Sequence, residues 1–157
     1  MKIILALLSV LIIFLAPGRI SEPRQEAPLP KQEEAKPDER ITQLAAFFEK
    51  RQCPLKPYIH DFISAADKYK IDFRILPAIS VIESQCGKIY PPDTNNPFGW
   101  ASARVGFESI PDAIDFVTGQ LANGKYYTGK SLEQKLRAYC PNPTYPARVI
   151  NLINKIN

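Results

Sequence analysis

The sequence predicts an all-α fold for the part of the chain that follows its first 40 residues. Apolar residues recur there at spacings of three and four, and no segment shows the strict alternation of a β-strand. Clusters of Pro, Gly and Asn divide the apolar segments into short helices. The chain has 157 residues, so residues 41–157 are long enough for one compact domain with one hydrophobic core.

The first three helices are predicted in residues 41–84. Residues 41–51 and 58–69 each carry an apolar stripe at helical spacing, and a Pro-containing break separates them. Asp72 is a suitable N-cap for a third helix, which is apolar on nearly every face and ends near Ser84. We expect the second and third helices to form an antiparallel hairpin, because the connection between them is short.

The last three helices follow a long loop. Residues 87–106 are dense in Pro, Asn, Asp and Gly, and long ordered loops of this kind often carry function. The next helix is predicted to open at residues 109–112, where Ser, Pro and Asp suit a first turn. Apolar spacing then predicts helices over 132–139 and 145–156.

The N-terminal 40 residues differ from the rest. Residues 1–18 contain Lys2 followed by an uncharged apolar run, the pattern of an export signal. A membrane span needs roughly 20 apolar residues, so residues 3–18 fit either a cleaved signal peptide or a membrane anchor. Residues 19–40 are rich in Pro, Glu, Lys and Gln and predict a disordered linker. We therefore expect an exported protein, periplasmic or extracellular, that meets a membrane only through this segment.

The composition narrows the classes of partner and cofactor. The formal net charge is +4, and charges of both signs alternate in the linker, which argues against a nucleic-acid-binding arm. The cysteine spacing matches no zinc pattern, and one His cannot supply the missing ligands. We expect no metal, no cofactor, no nucleic-acid partner and a monomeric state.

The three cysteines of this exported chain predict one disulfide and one free thiol. In an antiparallel hairpin the start of one helix lies near the end of the other, which brings Cys53 close to Cys86. This pairing is favoured, and a bond between Cys86 and Cys140 is the alternative.

Glu83 is the candidate catalytic acid. It is the only acidic residue in the apolar segment 75–84 and lies near the C-terminal end of that helix. Burial and the negative end of the helix dipole both disfavour the ionised carboxylate, so we expect a raised pKa. A carboxylic acid that stays protonated near neutral pH suits general acid catalysis.

Several motifs resemble one known family in order and spacing. They are the string ESQCGK at 83–88, the string NNPFGW at 95–100, Phe107 with Ser109 and Ile110 before a helix, and Tyr139 followed by NPTY at 142–145. Together they resemble the lysozyme-like N-acetylglucosaminidases of bacterial autolysins and flagellar muramidases. The resemblance covers roughly residues 55–156, which is nearly the whole domain.

The resemblance implies a lysozyme-like helical domain with a long substrate loop, spanning 41–157. It further implies a peptidoglycan hydrolase that cleaves β-1,4 bonds of the glycan strand, with Glu83 matching the family's catalytic acid. Tyr139 matches a family tyrosine near that acid, where its hydroxyl would stabilise developing charge or position the substrate.

Other candidate residues lie in and after the loop. Asn95 and Asn96 have side chains suited either to sugar binding or to turn formation, and Trp100 has a ring suited to stacking on a sugar. Asp93 is the candidate for a second carboxylate that activates a water, although a turn-forming role is common for such a residue. We also expect Tyr126 and Tyr127 near the groove, and Tyr145 as an anchor of the last helix.

The absence of an obvious second acid leaves the reaction open. Glycosidases usually pair two carboxyl groups, and residues 99–107 contain none. Assistance by the substrate's 2-acetamido group, or a lytic transglycosylase reaction that gives a 1,6-anhydro product, needs one protein acid. A non-catalytic glycan-binding protein with the same fold is the alternative from another functional class.

Overall fold

The computed structural model describes residues 37–157, which form six α-helices and contain no β-strand. The predicted all-α class is therefore confirmed for this part of the chain. The predicted export segment 1–18 and nearly all of the predicted linker 19–40 lie outside the described residues. Among residues 37–157, none of the helices combines the length and the apolar character needed to cross a membrane.

The helices are short and joined by turns. Their bounds are α1 Glu39–Glu49, α2 Ile59–Tyr69, α3 Ile75–Ser84, α4 Ile110–Asn123, α5 Leu132–Tyr139 and α6 Tyr145–Ile153. Three 3-10 turns, at Lys56–Tyr58, Pro92–Thr94 and Trp100–Ala103, lie in the connections. The last two of these turns lie within the long loop between α3 and α4.

One hydrophobic core holds the described helices together. Helix α2 packs mainly on α4, while α3 packs on α6 and also contacts α4. Most of α3 is buried, as its apolar sequence predicts, and residues 81–83 near its C-terminal end are partly buried. The largest fully buried apolar side chains include Leu44, Phe48, Phe62, Ile79, Phe98, Ile114, Val117, Leu121, Leu136, Val149 and Ile156.

Local hydrogen bonds explain where the helix boundaries differ from the predicted ones. Helix α1 begins at Glu39, two residues early, because the Asp38 carboxylate accepts a 3.0 Å hydrogen bond from the Arg40 amide. The prediction of Asp72 as the N-cap of α3 was wrong. Its carboxylate accepts from the Arg74 amide at 2.9 Å and so closes the turn that precedes the helix. Helix α6 ends at Ile153 rather than at residue 156.

The disulfide joins Cys53 to Cys86, as the hairpin argument favoured, and Cys140 is free. Cys53 follows α1, and Cys86 lies two residues beyond the end of α3. The bond therefore ties the α1–α2 connection to the C-terminal end of the helix that carries Glu83. Gln85, Cys86 and Gly87 all have left-handed backbones, which turn the chain back towards this bond.

Replacing both Cys53 and Cys86 with Ala is expected to lower the free energy of unfolding by about 3–4 kcal/mol. The bond closes a loop with a sequence separation of 33 residues. Cross-linking a loop of that size lowers the entropy of the unfolded chain, which stabilises the folded protein by about this amount. Denaturant unfolding of the oxidised protein and of the double variant measures the difference. Cys140→Ser is the control and should leave the midpoint nearly unchanged; a double variant as stable as the wild type would contradict the expectation.

Candidate active site

Glu83 lines a groove of about 500 Å³ beside the C-terminal end of α3. One wall is the 3-10 turn that begins at Trp100, and another is the segment at the end of α5. The lining residues are Glu83, Gly99, Trp100, Ala101, Ser102, Gln120, Tyr126, Tyr127, Ala138, Tyr139, Cys140 and Pro141. Glu83 is the only carboxylic acid of the described residues among them.

Tyr145 holds the Glu83 carboxyl in place. The Tyr145 hydroxyl donates a 2.6 Å hydrogen bond to Oε1 of Glu83. Tyr145 is itself buried at the start of α6, which packs on α3. Because Oε1 serves as the acceptor, a proton on this carboxyl is best carried by Oε2. That arrangement leaves one defined oxygen as the proton donor.

The pKa of Glu83 is raised above its ordinary value, in the direction that the sequence indicated. Partial burial is the main cause, because it disfavours the charged carboxylate. The hydrogen bond from Tyr145 and the positive charge of Arg148 act in the opposite direction and limit the rise. A carboxyl with a raised pKa and an open face towards a groove can deliver a proton to a bound molecule.

Gly99 lies directly against the carboxyl. Its φ is +63°, and a Cβ at this position would overlap Oε2 of Glu83 and lie 3.1 Å from Cδ. A side chain here is therefore excluded both by the left-handed backbone and by the space that Glu83 occupies. The preceding residue, Phe98, is fully buried in the core, whereas the role of Gly99 depends on Glu83.

Tyr139 and Tyr145 stack beside Glu83, with ring centroids 6.1 Å apart and planes 9° from parallel. The Tyr139 hydroxyl donates a 2.6 Å hydrogen bond to the carbonyl oxygen of Phe98. Tyr139 thus lines the groove, while its hydroxyl anchors the loop that carries Gly99. Burial, reinforced by the nearby Glu83 charge, raises the pKa of Tyr139 well above its usual range, so the phenol stays protonated.

Trp100 lines the groove and belongs to a cluster of aromatic rings. Its ring centroid lies 5.7 Å from that of Tyr139, 5.9 Å from that of Phe116 and 6.0 Å from that of Tyr127. These contacts fix the indole, which is only partly buried, so that part of its surface lines the groove.

The two asparagines organise the loop instead of facing the groove. Nδ2 of Asn95 donates to the carbonyl oxygens of Phe107 and Glu108 at 3.0 and 3.1 Å. Asn96 is 1% exposed, and its side chain bonds the N–H and C=O of Trp100 and the C=O of Val105. The turn-forming role therefore describes both residues, and neither is among those that line the groove.

Asn96 braces an unusual backbone segment. Ala101, Ser102 and Ala103 have φ values of 52°, 59° and 57°, and a left-handed conformation costs roughly 1–2 kcal/mol for each residue with a side chain. The hydrogen bonds of Asn96 reach Trp100 and Val105, on either side of this run. The run forms part of the groove wall, where such strain is typical of functional regions.

Asp93 does not line the groove. It is exposed in the 3-10 turn Pro92–Thr94 and is not among the residues that line the groove. Its position fits the turn-forming role better than that of a second catalytic carboxylate. Among residues 37–157, no group of three or more His, Cys, Asp and Glu side chains is placed to hold a metal ion.

Sequence reasoning missed Gln120, Ala138, Cys140 and Pro141 as groove residues, and it gave Tyr145 a purely anchoring role. Gln120 lies on α4 and reaches the groove only because α4 packs close to the loop, which no local pattern reveals. Cys140 and Pro141 directly follow Tyr139, so their adjacency to a candidate site residue was a usable signal.

Comparisons with known proteins do not place the chain. No protein-family model matches it, and no curated protein matches its sequence at a significant level. A function for the chain therefore rests on the geometry around Glu83 and on the motifs that carry the family resemblance.

Tyr145→Phe is expected to raise the pKa of Glu83 further. The lost hydrogen bond stabilises the carboxylate, so without it the protonated acid persists to higher pH. NMR titration of the Glu83 side chain in the wild type and in the variant measures the difference.

The matched control is Tyr126→Phe, which removes a hydroxyl from an exposed tyrosine of the same groove. It should leave the pKa of Glu83 where it is in the wild type. An unchanged pKa in Tyr145→Phe would show that the hydrogen bond does not tune Glu83.

Proposed function

We propose that the protein is an exported peptidoglycan hydrolase with a lysozyme-like fold, of the N-acetylglucosaminidase type. The single observation that carries the proposal is the carboxyl of Glu83. It combines burial, a raised pKa, one tyrosine donor and an open face in a groove of about 500 Å³. The motifs around 83–88, 95–100 and 139–145 support the same family. The substrate is the β-1,4-linked glycan strand of the bacterial cell wall.

In the proposed reaction Glu83 acts as general acid. Its proton passes from Oε2 to the glycosidic oxygen as the bond from that oxygen to the anomeric carbon breaks, and the leaving sugar departs as an alcohol. Positive charge develops on the sugar ring, and the ionised Glu83 that results would help to stabilise it. Trp100 and Tyr139 would pack against the sugar rings and hold the bond beside the acid.

The second half of the reaction draws on the substrate. Because Glu83 is the sole carboxyl among the described groove residues, the oxygen of the substrate's own 2-acetamido group would attack the anomeric carbon. Water would then open the resulting ring at that carbon and give a proton to the ionised Glu83. This single acid also supports a second candidate, lytic transglycosylation, in which the sugar's 6-hydroxyl attacks the anomeric carbon, gives its proton to the ionised Glu83 and forms a 1,6-anhydro end.

Digestion of purified peptidoglycan followed by mass spectrometry tests the proposal. Reducing N-acetylglucosamine ends would identify a glucosaminidase, reducing N-acetylmuramic acid ends a muramidase, and 1,6-anhydro ends a transglycosylase. If the protein binds the glycan and releases no fragments, the proposal is wrong and a non-catalytic glycan-binding role takes its place.

A further inference from the structure

A second pocket, of about 590 Å³, lies on α4 beside the first groove. Its walls come from the end of α2, the residues that precede α4, and one face of α4 itself. The lining residues are Tyr69, Gly106, Phe107, Glu108, Asp112, Asp115, Phe116, Gly119, Gln120 and Asn123. Nothing in the proposed reaction at Glu83 uses this pocket.

The two cavities are neighbours on the protein surface. Gln120 lines both of them. A row of aromatic rings connects them as well. The centroid of Trp100, in the groove, is 5.9 Å from that of Phe116, which is 5.5 Å from that of Phe107 in the second pocket. A polymer that lies beside Glu83 therefore meets an aromatic path that leads into the second pocket.

The floor of the second pocket is built around Gly119. A Cβ on Gly119 would lie 2.9 Å from Cζ of Tyr69, so the Tyr69 ring rests against the bare backbone of α4. The Tyr69 hydroxyl donates a 2.9 Å hydrogen bond to Asp115, and Lys68 pairs with the same carboxylate at 2.7 Å. These contacts hold the ring in place where it lines the pocket.

The chemistry of the pocket suits a neutral, hydroxyl-rich ligand. Phe116 is 43% exposed and presents an apolar surface that can cover the C–H face of a sugar ring. Glu108 and Asn123 are exposed at the rim and offer hydrogen-bond acceptors and a donor to hydroxyl and acetamido groups. The carboxylates of this pocket disfavour anionic occupants, such as the carboxylates of a stem peptide.

We propose that the second pocket binds additional N-acetylated sugars of the glycan strand whose scissile bond lies at Glu83. This inference rests on the proposed function, because it takes the same polymer as the ligand of both cavities. It makes the protein selective for long strands, since a short oligomer would fill the groove alone.

The test uses the protein with Glu83→Gln, so that bound glycans stay intact. Its amide NMR signals are followed during titration with β-1,4-linked N-acetylglucosamine oligomers of three and six units. Both oligomers should shift the amides of Ala101 and Ser102 in the groove. Only the six-unit oligomer should also shift those of Gly106 and Gly119 and bind roughly tenfold more tightly, the gain of about 1.4 kcal/mol that one or two further hydrogen bonds supply.

A double variant and a matched control complete the design. Glu108→Ala with Asn123→Ala should remove the affinity gain of the six-unit oligomer and leave binding of the three-unit oligomer unchanged. Asp93→Ala removes a carboxylate that is also exposed but lies outside both cavities, and it should preserve the gain.

The possible failures are distinguishable. Equal affinity for both oligomers, or a gain that survives in the double variant, overturns the second-pocket inference while groove binding stands. Absence of any shift at Ala101 and Ser102 with either oligomer overturns the proposed function and this inference together.

Discussion

Glu83→Gln is expected to reduce peptidoglycan cleavage by about 10³-fold, the middle of the range that general acid catalysis contributes. Glutamine has no proton to deliver to the glycosidic oxygen. Its amide oxygen still accepts the hydrogen bond from Tyr145, so the loss should come from chemistry rather than from a distorted groove. Release of soluble fragments from purified peptidoglycan, quantified by mass spectrometry, measures the effect.

The stability of this variant gives a second, independent readout. The pKa of Glu83 is raised in the fold, so the folded protein gains stability from the protonated acid below its unfolded pKa. That stability is lost as pH rises through the folded pKa. Glu83→Gln removes this dependence and should be at least as stable as the wild type at pH 8.

Asp93→Asn is the activity control and should retain cleavage within about threefold of the wild type, because Asp93 lies outside the groove. Equal activity of Glu83→Gln and wild type would refute the catalytic assignment.

Gly99→Ala is expected to lower cleavage by more than about 10²-fold, the loss that follows a misplacement of about 1 Å at a reacting group. The added Cβ would overlap Oε2 of Glu83, so either the carboxyl or the loop must move. The left-handed backbone at Gly99 adds a stability cost of roughly 1–2 kcal/mol. Cleavage assays and denaturant unfolding separate the two effects.

Gly129→Ala supplies the matched control. Gly129 also has a left-handed backbone, with φ +74°, but a Cβ there would meet no atom within 4 Å. It should lose a similar amount of stability and keep its activity. If the two variants lose activity equally, the contact between Gly99 and Glu83 does not matter for catalysis.

Much of the fold followed from local patterns in the sequence. The bounds predicted for the helix at 132–139 match α5, because its apolar spacing coincides with a capping box formed by Ser131 and Gln134. Other boundaries shifted where a nearby residue offered a better hydrogen bond. Asp38 caps α1 and so extends it towards the N-terminus. The Asp72 carboxylate accepts a hydrogen bond from the Arg74 amide in the turn before α3, and not from an amide of the helix.

The candidate site was less accessible to sequence reasoning. Glu83 stood out because a single acid in an apolar helix is a local anomaly, and Trp100 and Tyr139 were found through the motifs around them. The contact between Glu83 and Tyr145 joins residues 62 positions apart, and it depends on how α6 packs on α3. The close approach of Gly99 and the loop-bracing role of Asn96 likewise depend on how the loop folds, so residue type alone left their roles open.

The free thiol of Cys140 gives the protein a natural attachment point for a reporter. The chain has 3 cysteines, and the bond between Cys53 and Cys86 leaves Cys140 as the only one that can react with a thiol-specific dye. Because Cys140 lines the groove and is partly exposed, a small fluorophore attached there would sense what enters beside Glu83. Glycan occupancy can then be followed by fluorescence in a labelled protein that needs no engineered cysteine.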